Sequence, residues 1–350
     1  MSGVKSERHI LFLTVALGVL AAFAFDHPTP GLGTSVTGAR YATDAYPGFD
    51  SEDEMIKPER KEPRWFSFIT GPDRDNARDQ LDYCVGLMRE GSPAKARRQL
   101  DALVREWPTA PEAAKAQQAL IDLCAGPLQD TEEAFAECRY LLDFYSLQCD
   151  YGKMADRLYE LAGVLKLEGK EVMFIRFANT VDVRRAYETC VLRAPGAKWV
   201  PEAMLTIAAL REDEGKYEDA IKVYENLRNL HPDSDAAKTA WAKESAVRMD
   251  VLRECAYNRS RCSDTIDFLK MAQVRCRPDD AAAIGEFLAE AMAQIENEAY
   301  LGAKFYDSPT RTPRSALRAY ERYLADYPQG AHAEEVRARI GELKARGTGK

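Results

Sequence analysis

Four segments of this chain share one spacing. A small residue is followed four positions later by an aromatic or apolar residue, three further by an apolar one, and five beyond that by proline. The segments read Ala96, Leu100, Leu103, Pro108; Val183, Tyr187, Cys190, Pro195; Ala220, Tyr224, Leu227, Pro232; and Ala316, Tyr320, Tyr323, Pro328. At 3.6 residues per turn the first three positions share one face of a helix. The small residue lets a neighbouring helix come close, and proline, with no N–H and a ring that clashes with the preceding turn, stops the helix. A partner helix precedes each. In one unit Pro201 occupies the tolerated first turn, Met204, Ile207 and Ala208 form a buried stripe, Glu214-Gly215-Lys216 makes the turn, and Tyr217 opens the second helix. Tyr83, Cys84, Leu87 and Gly91 repeat this ahead of Ala96. Two weaker units are Ala113–Cys124 with Glu132–Phe144, where Ala134, Cys138 and Leu141 keep the spacing without proline, and Ala236–Cys255 with Ser263–Arg275. An isolated pair would expose a full apolar stripe, so the pairs must stack. The predicted fold is all-α: a right-handed α-solenoid of about six helix pairs over residues 73–345, with a concave groove and a short tail at 346–350.

The repeat resembles the tetratricopeptide repeat (TPR), most clearly in Lys216-Tyr217-Glu218-Asp219-Ala220-Ile221-Lys222-Val223-Tyr224 followed by Pro232. The units are not evenly spaced at the standard repeat length, so helices and loops must vary. The last unit reads Glu298-Ala299-Tyr300-Leu301-Gly302-Ala303-Lys304-Phe305-Tyr306, then Ser315-Ala316-Leu317-Arg318-Ala319-Tyr320-Glu321-Arg322-Tyr323-Leu324-Ala325-Asp326-Tyr327-Pro328. It is similar to the outer-membrane assembly lipoprotein D (BamD) family. That resemblance implies a periplasmic scaffold beside an outer-membrane barrel insertase, binding unfolded barrel clients. Two departures stand out: no cysteine precedes Cys84, so the acylated anchor of that family is missing, and the chain is longer by about one helix pair. The alternative is a general cell-envelope scaffold, a coordinator of the cell wall or of division.

The N-terminus points to export. Lys5 and Arg8 precede an uncharged stretch from Ile10 to Phe25, shorter than the ~20 residues of a bilayer span and ending in Ala22-Phe23-Ala24. Residues 1–25 therefore read as a signal peptide cleaved after Ala24, or as an anchor that is kept. Residues 26–72 read as a linker: Pro28, Pro30, Gly31, Gly33, Gly38, Pro47 and Gly48, then the acidic run Asp50-Ser51-Glu52-Asp53-Glu54, with no helical or strand period. At its end Trp65, Phe66 and Phe68 form an aromatic patch expected to cap the first helices.

Little in the sequence suggests chemistry. With 48 basic against 56 acidic residues the net charge is −8, unlike a nucleic-acid-binding surface. The four histidines (His9, His27, His231, His332) are scattered, so a metal site or a Ser–His or Cys–His pair is not expected. Gly31-Leu32-Gly33 has neither the strand nor the helix of a phosphate loop. No Cys-x-x-Cys occurs. Cys84, Cys138 and Cys190 fall on buried repeat positions, while Cys255, Cys262 and Cys276 bracket one turn and include the best candidate for a disulfide. The expectation is a non-enzymatic protein without metal, cofactor or small-molecule substrate, its partners being proteins, associated with the membrane through its N-terminus or those partners. Repeat register assigns the partner-binding groove to first helices: Leu81, Val85 and Met88; Leu205, Ala209 and Glu212; Tyr300, Lys304 and Phe305. The competing reading of each is packing against an adjacent pair.

Overall fold

The computed structural model describes residues 46–50, 59–62, 71–171, 180–254, 259–308 and 312–347. The N-terminal apolar stretch, the aromatic patch at 63–69 and Cys255 lie outside them. Among the described residues there are thirteen α-helices and no strand. In chain order they are α1 Ala77–Arg89, α2 Pro93–Glu106, α3 Pro111–Ala125, α4 Thr131–Phe144, α5 Tyr151–Glu171, α6 Thr180–Arg193 and α7 Val200–Asp213. They continue as α8 Tyr217–Leu230, α9 Asp235–Glu254, α10 Arg259–Arg275, α11 Ala281–Tyr306, α12 Pro313–Asp326 and α13 Ala333–Gly347. This is an all-α helical-repeat fold: six consecutive pairs and one closing helix. Two compact units divide it, residues 1–210 and 211–350. In the first, each helix from α1 to α6 packs on the next, and α1 also reaches α3. In the second, α8 to α13 do the same, and α9 reaches α11.

The spacing seen in the sequence is the packing rule. Ala96, Leu100 and Leu103 on α2, and Ala134, Cys138 and Leu141 on α4, are fully buried, as are Ala220, Tyr224 and Leu227 on α8. Val183, Tyr187 and Cys190 on α6 and Ala316, Tyr320 and Tyr323 on α12 are buried too. The degenerate fifth pair obeys the rule through Cys262, Ile266 and Leu269 on α10. The closing helix α13 buries Val336, Ile340 and Leu343 at the same intervals, against Tyr300, Tyr320 and Tyr323. Five second helices stop at the same register position. In each, the N–H just past the helix donates to the carbonyl of the third buried residue: Trp107 to Leu103 (2.9 Å), Tyr145 to Leu141 (2.8 Å), Ala194 to Cys190 (3.0 Å), His231 to Leu227 (2.9 Å) and Tyr327 to Tyr323 (2.7 Å). Proline stands next in four of them, yet α4 stops there without it. Helix α10, also without it, runs on to Arg275.

The tight turns need glycine at two places. Gly91 and Gly215 have φ of 74° and 72°, and the following N–H groups reach back five residues, Ser92 to Leu87 (2.9 Å) and Lys216 to Arg211 (2.9 Å). A Cβ at Gly215 meets nothing within 4 Å, so the left-handed backbone alone demands glycine. Gly215→Ala is expected to destabilise by about 1–2 kcal/mol and Gly215→Asn by visibly less, read as urea midpoints by circular dichroism.

Candidate partner-binding site

The first two helix pairs bury polar side chains that bond to one another across each pair. Gln80 on α1 is fully buried, and its amide donates to the Gln99 backbone carbonyl (3.1 Å) and to Gln99 Oε1 (2.7 Å) on α2. Gln117 on α3 repeats this one pair on, donating to the Glu137 carbonyl (3.0 Å) and to the Glu137 carboxylate on α4. Gln99 and Glu137 occupy the same register position, three residues after the small residue of their helix.

Each of these passes the contact outward to the N-terminal segment. Gln99 Oε1 also accepts the Asp73 N–H at 3.0 Å. Glu137 takes Lys61, whose Nζ lies 2.6 and 2.7 Å from its two carboxylate oxygens and 2.9 Å from Asp101 Oδ1 on α2. Arg105 Nε holds Asp101 Oδ2 at 2.7 Å, one turn along the same helix. The chain around Lys61 is gripped by its backbone as well: its N–H donates to Tyr140 Oη (3.2 Å), and the Glu62 carbonyl accepts from Arg105 Nη1 (3.1 Å). Arg60 and Lys61 each stand 5.1 Å from a ring centroid, those of Phe144 and Tyr140.

A second anchor lies on α6. Asp50 is buried, with Arg184 Nη1 at 2.9 Å and Arg185 Nε at 2.7 Å. Arg184 also pairs with the fully buried Glu188 at 2.7 Å. Residues 46–50 and 59–62, inside the span read as a linker, are thus laid on α2, α4 and α6. Their partners are 40 to 138 residues away in sequence, beyond any local pattern.

The charges here are set by one another. Burial of Lys61 works against its charge, but the Glu137 and Asp101 carboxylates outweigh it and hold the ammonium above the usual lysine value. Burial raises Asp101, but Lys61 and Arg105 outweigh it and hold the carboxyl below its ordinary range. A depressed carboxyl stabilises docking above its unfolded pKa of 3.8 and loses that as pH falls through the folded value. A raised ammonium stabilises docking below 10.5 and loses that as pH climbs through its higher folded value. The NMR shift of the Lys61 amide should therefore hold steady from about pH 5 to about pH 9 and move as pH drops below about 4.

The residues assigned to a first-helix groove are placed differently from one another. Leu81 and Tyr300 are core residues, 8% and 5% exposed. Tyr300 stacks on His332 at 3.9 Å and donates to Glu335 Oε1 at 2.6 Å, so α13 covers it. Val85 and Met88 are half-buried, Met88 against Leu87, Ala96 and Leu123. Leu205 and Ala209 are half-buried. Glu212 accepts the Tyr224 hydroxyl, and burial pushes both groups up. Lys304 is exposed with Nζ 3.2 Å from Tyr300 Oη, and Phe305 is 62% exposed beside Tyr306. In the second unit a cleft of about 280 Å³ opens between α8, α9 and α10, lined by Ile221, Val251 and Thr265, with the Glu218–Arg261 ion pair (3.2 Å).

The disulfide expectation is corrected where it can be seen. Cys262 belongs to the core formed with Met249, Leu252, Ile266 and Leu269, and neither it nor Cys276 is bonded. Burial pushes the Cys84, Cys124 and Cys138 thiols up to about 12, as small core residues rather than nucleophiles.

Paired helices with buried residues at three fixed positions define a helical-repeat protein. The tetratricopeptide repeat family model matches residues 202–234, which contain Ala220, Tyr224, Leu227 and Pro232. No curated protein matches the chain. Among solved structures, a tetratricopeptide repeat protein from Parabacteroides merdae is 13% identical with a TM-score of 0.28, over 77% of this chain and 98% of that one. PilW, a type IV pilus biogenesis factor, is also 13% identical with a TM-score of 0.28, over 74% and 97%.

Proposed function

We propose that this chain is an exported, non-enzymatic scaffold that works at the cell envelope in the assembly of outer-membrane β-barrel proteins. Tetratricopeptide repeats bind proteins, and the observation that carries the scaffold reading is the non-helical segment at residues 59–62 already seated on α2 and α4. It is held by side chains and by backbone together, the manner in which a folded surface takes another protein's chain. Export is supported by Lys5, Arg8 and the apolar stretch ending at Ala24, and the assembly role by the similarity over residues 298–328. The mechanism is positional: a helical surface holds a partner and a client segment together and lowers the entropy of their meeting.

The test is an affinity pull-down of the tagged chain from gently solubilised envelope, read by mass spectrometry. Stoichiometric recovery of an outer-membrane barrel with periplasmic domains supports the reading. Recovery of cell-wall or division proteins without such a barrel overturns the assembly role and leaves the scaffold.

A further inference from the structure

The clamp that holds Lys61 is built without Lys61. Glu137 is fixed from behind by the buried Gln117 amide, and Asp101 by Arg105 on its own helix. Tyr140 and Phe144 stand on the same helix as Glu137, their centroids 4.6 Å apart. All of these residues belong to packed helices, and the contacts that hold Glu137 and Asp101 from behind do not involve Lys61. Emptied, the clamp would leave a buried carboxylate on α4 near a second one on α2, with a single guanidinium bonded to the second. Such a site is costly unless a cation fills it. Its shape is selective as well. Three carboxylate oxygens within 2.9 Å of one nitrogen match the three donors of an ammonium. The flanking Phe144 ring takes a planar guanidinium. The Tyr140 hydroxyl and the Arg105 guanidinium then bond to the backbone on either side, whatever its other side chains.

From this geometry we infer that the α2–α4 face is a binding site for an Arg-Lys dipeptide within an extended segment of a partner protein, filled in the resting chain by its own Arg60-Lys61. The inference rests on the scaffold reading but not on the identity of the partner. The resident segment binds as a tethered ligand. The tether gives it a high effective concentration, so a partner must present its basic dipeptide at close range, as it would once held elsewhere on the scaffold. Arg60 and Glu62 remain exposed on either side of Lys61, so the resident segment can be peeled away from its edges.

The test uses the full chain with Arg60→Ala and Lys61→Ala, which empties the clamp and alters none of its residues. The probe is a fluorescent peptide copying residues 57–62, followed by anisotropy. The emptied chain should bind the peptide at least about tenfold more tightly than the unaltered chain. That binding should fall at least about tenfold when Glu137→Gln is added, or when the peptide carries alanine in place of the residues copying Arg60 and Lys61. Equal binding by the emptied and unaltered chains overturns the inference, as does binding that survives Glu137→Gln. If the emptied chain keeps its helical circular dichroism and binds nothing, the segment is a fixed part of the fold and the inference fails. Should the emptied chain not fold, the unaltered chain decides: millimolar peptide must speed hydrogen exchange at the Lys61 and Glu62 amides, and unchanged exchange overturns the proposal. A pull-down without an outer-membrane barrel leaves each of these outcomes as it stands.

Discussion

Exchanging Asp101 and Glu137 together for asparagine and glutamine should raise the rate of tryptic cleavage after Lys61 by about 10–100-fold. The side chain of Lys61 is only 14% exposed, with its ammonium closed in by both carboxylates, so trypsin must wait for the segment to lift. Charge-assisted hydrogen bonds contribute about 1.5–3 kcal/mol each, and every 1.4 kcal/mol is tenfold in the open population. The amides keep the shape and part of the hydrogen bonding, which limits the change to that range. Limited proteolysis read by mass spectrometry gives the rate, with cleavage at Lys166 on α5 as an internal reference. Arg185→Ala, which touches only the Asp50 anchor, should leave the rate after Lys61 within about threefold of the unaltered chain. Equal rates for the double variant and the unaltered chain would mean that the acids do not hold the segment.

The fold was legible because burial follows a local spacing. Ala220, Tyr224 and Leu227 sit on one face by helical geometry alone, and nothing distant is needed to read them. The fifth pair was harder for a physical reason. Cys262, Ile266 and Leu269 keep the intervals, but no proline follows at the expected place, and a cysteine there reads as readily as half a disulfide. The closing helix keeps the same intervals in Val336, Ile340 and Leu343, but the short spacing of one helix does not show which pair it packs against.

The candidate site was not legible in the same way. Glu137 lies three positions after Ala134, at the edge of the buried stripe, where the spacing alone does not say which group would pair with a charge. Only the fold shows that Gln117 stands behind it and Lys61 in front, 20 and 76 residues away. Asp50 looked like the start of a solvated acidic run, yet Arg184 and Arg185 bury it. The groove residues chosen by register met the opposite fate at Tyr300. An aromatic ring on a first helix is free to face a ligand only if no further helix follows, and here α13 follows and stacks His332 on it. Local periodicity reports which residues leave water. It does not report which of the remaining polar residues find one another.

Glu244→Ala is expected to remove about 3–5 kcal/mol of stability from the second unit. Glu244 on α9 is fully buried and lies between two arginines. Arg228 on α8 contacts Oε2 at 2.8 and 3.0 Å, and Arg248 contacts Oε1 at 2.7 and 2.8 Å. The side chains of Arg228 and Arg248 are 10% and 23% exposed, so removing the carboxylate strands two partly buried cations close together. A domain has only about 5–15 kcal/mol to lose, so α8 to α10 should open measurably in hydrogen exchange while α1 to α4 stay protected. The arginines also carry apolar contact: Arg228 lies 3.8 Å from the Trp241 centroid and Arg248 4.4 Å from that of Phe268, and those two rings stack at 5.3 Å. Methionine can keep much of that contact without a charge. The combination Arg228→Met, Glu244→Leu, Arg248→Met should therefore recover more than about half of the loss, because it removes the whole network instead of orphaning part of it. A triple variant less stable than Glu244→Ala would show that the charges themselves hold the three helices together, beyond the packing of their side chains on Trp241 and Phe268.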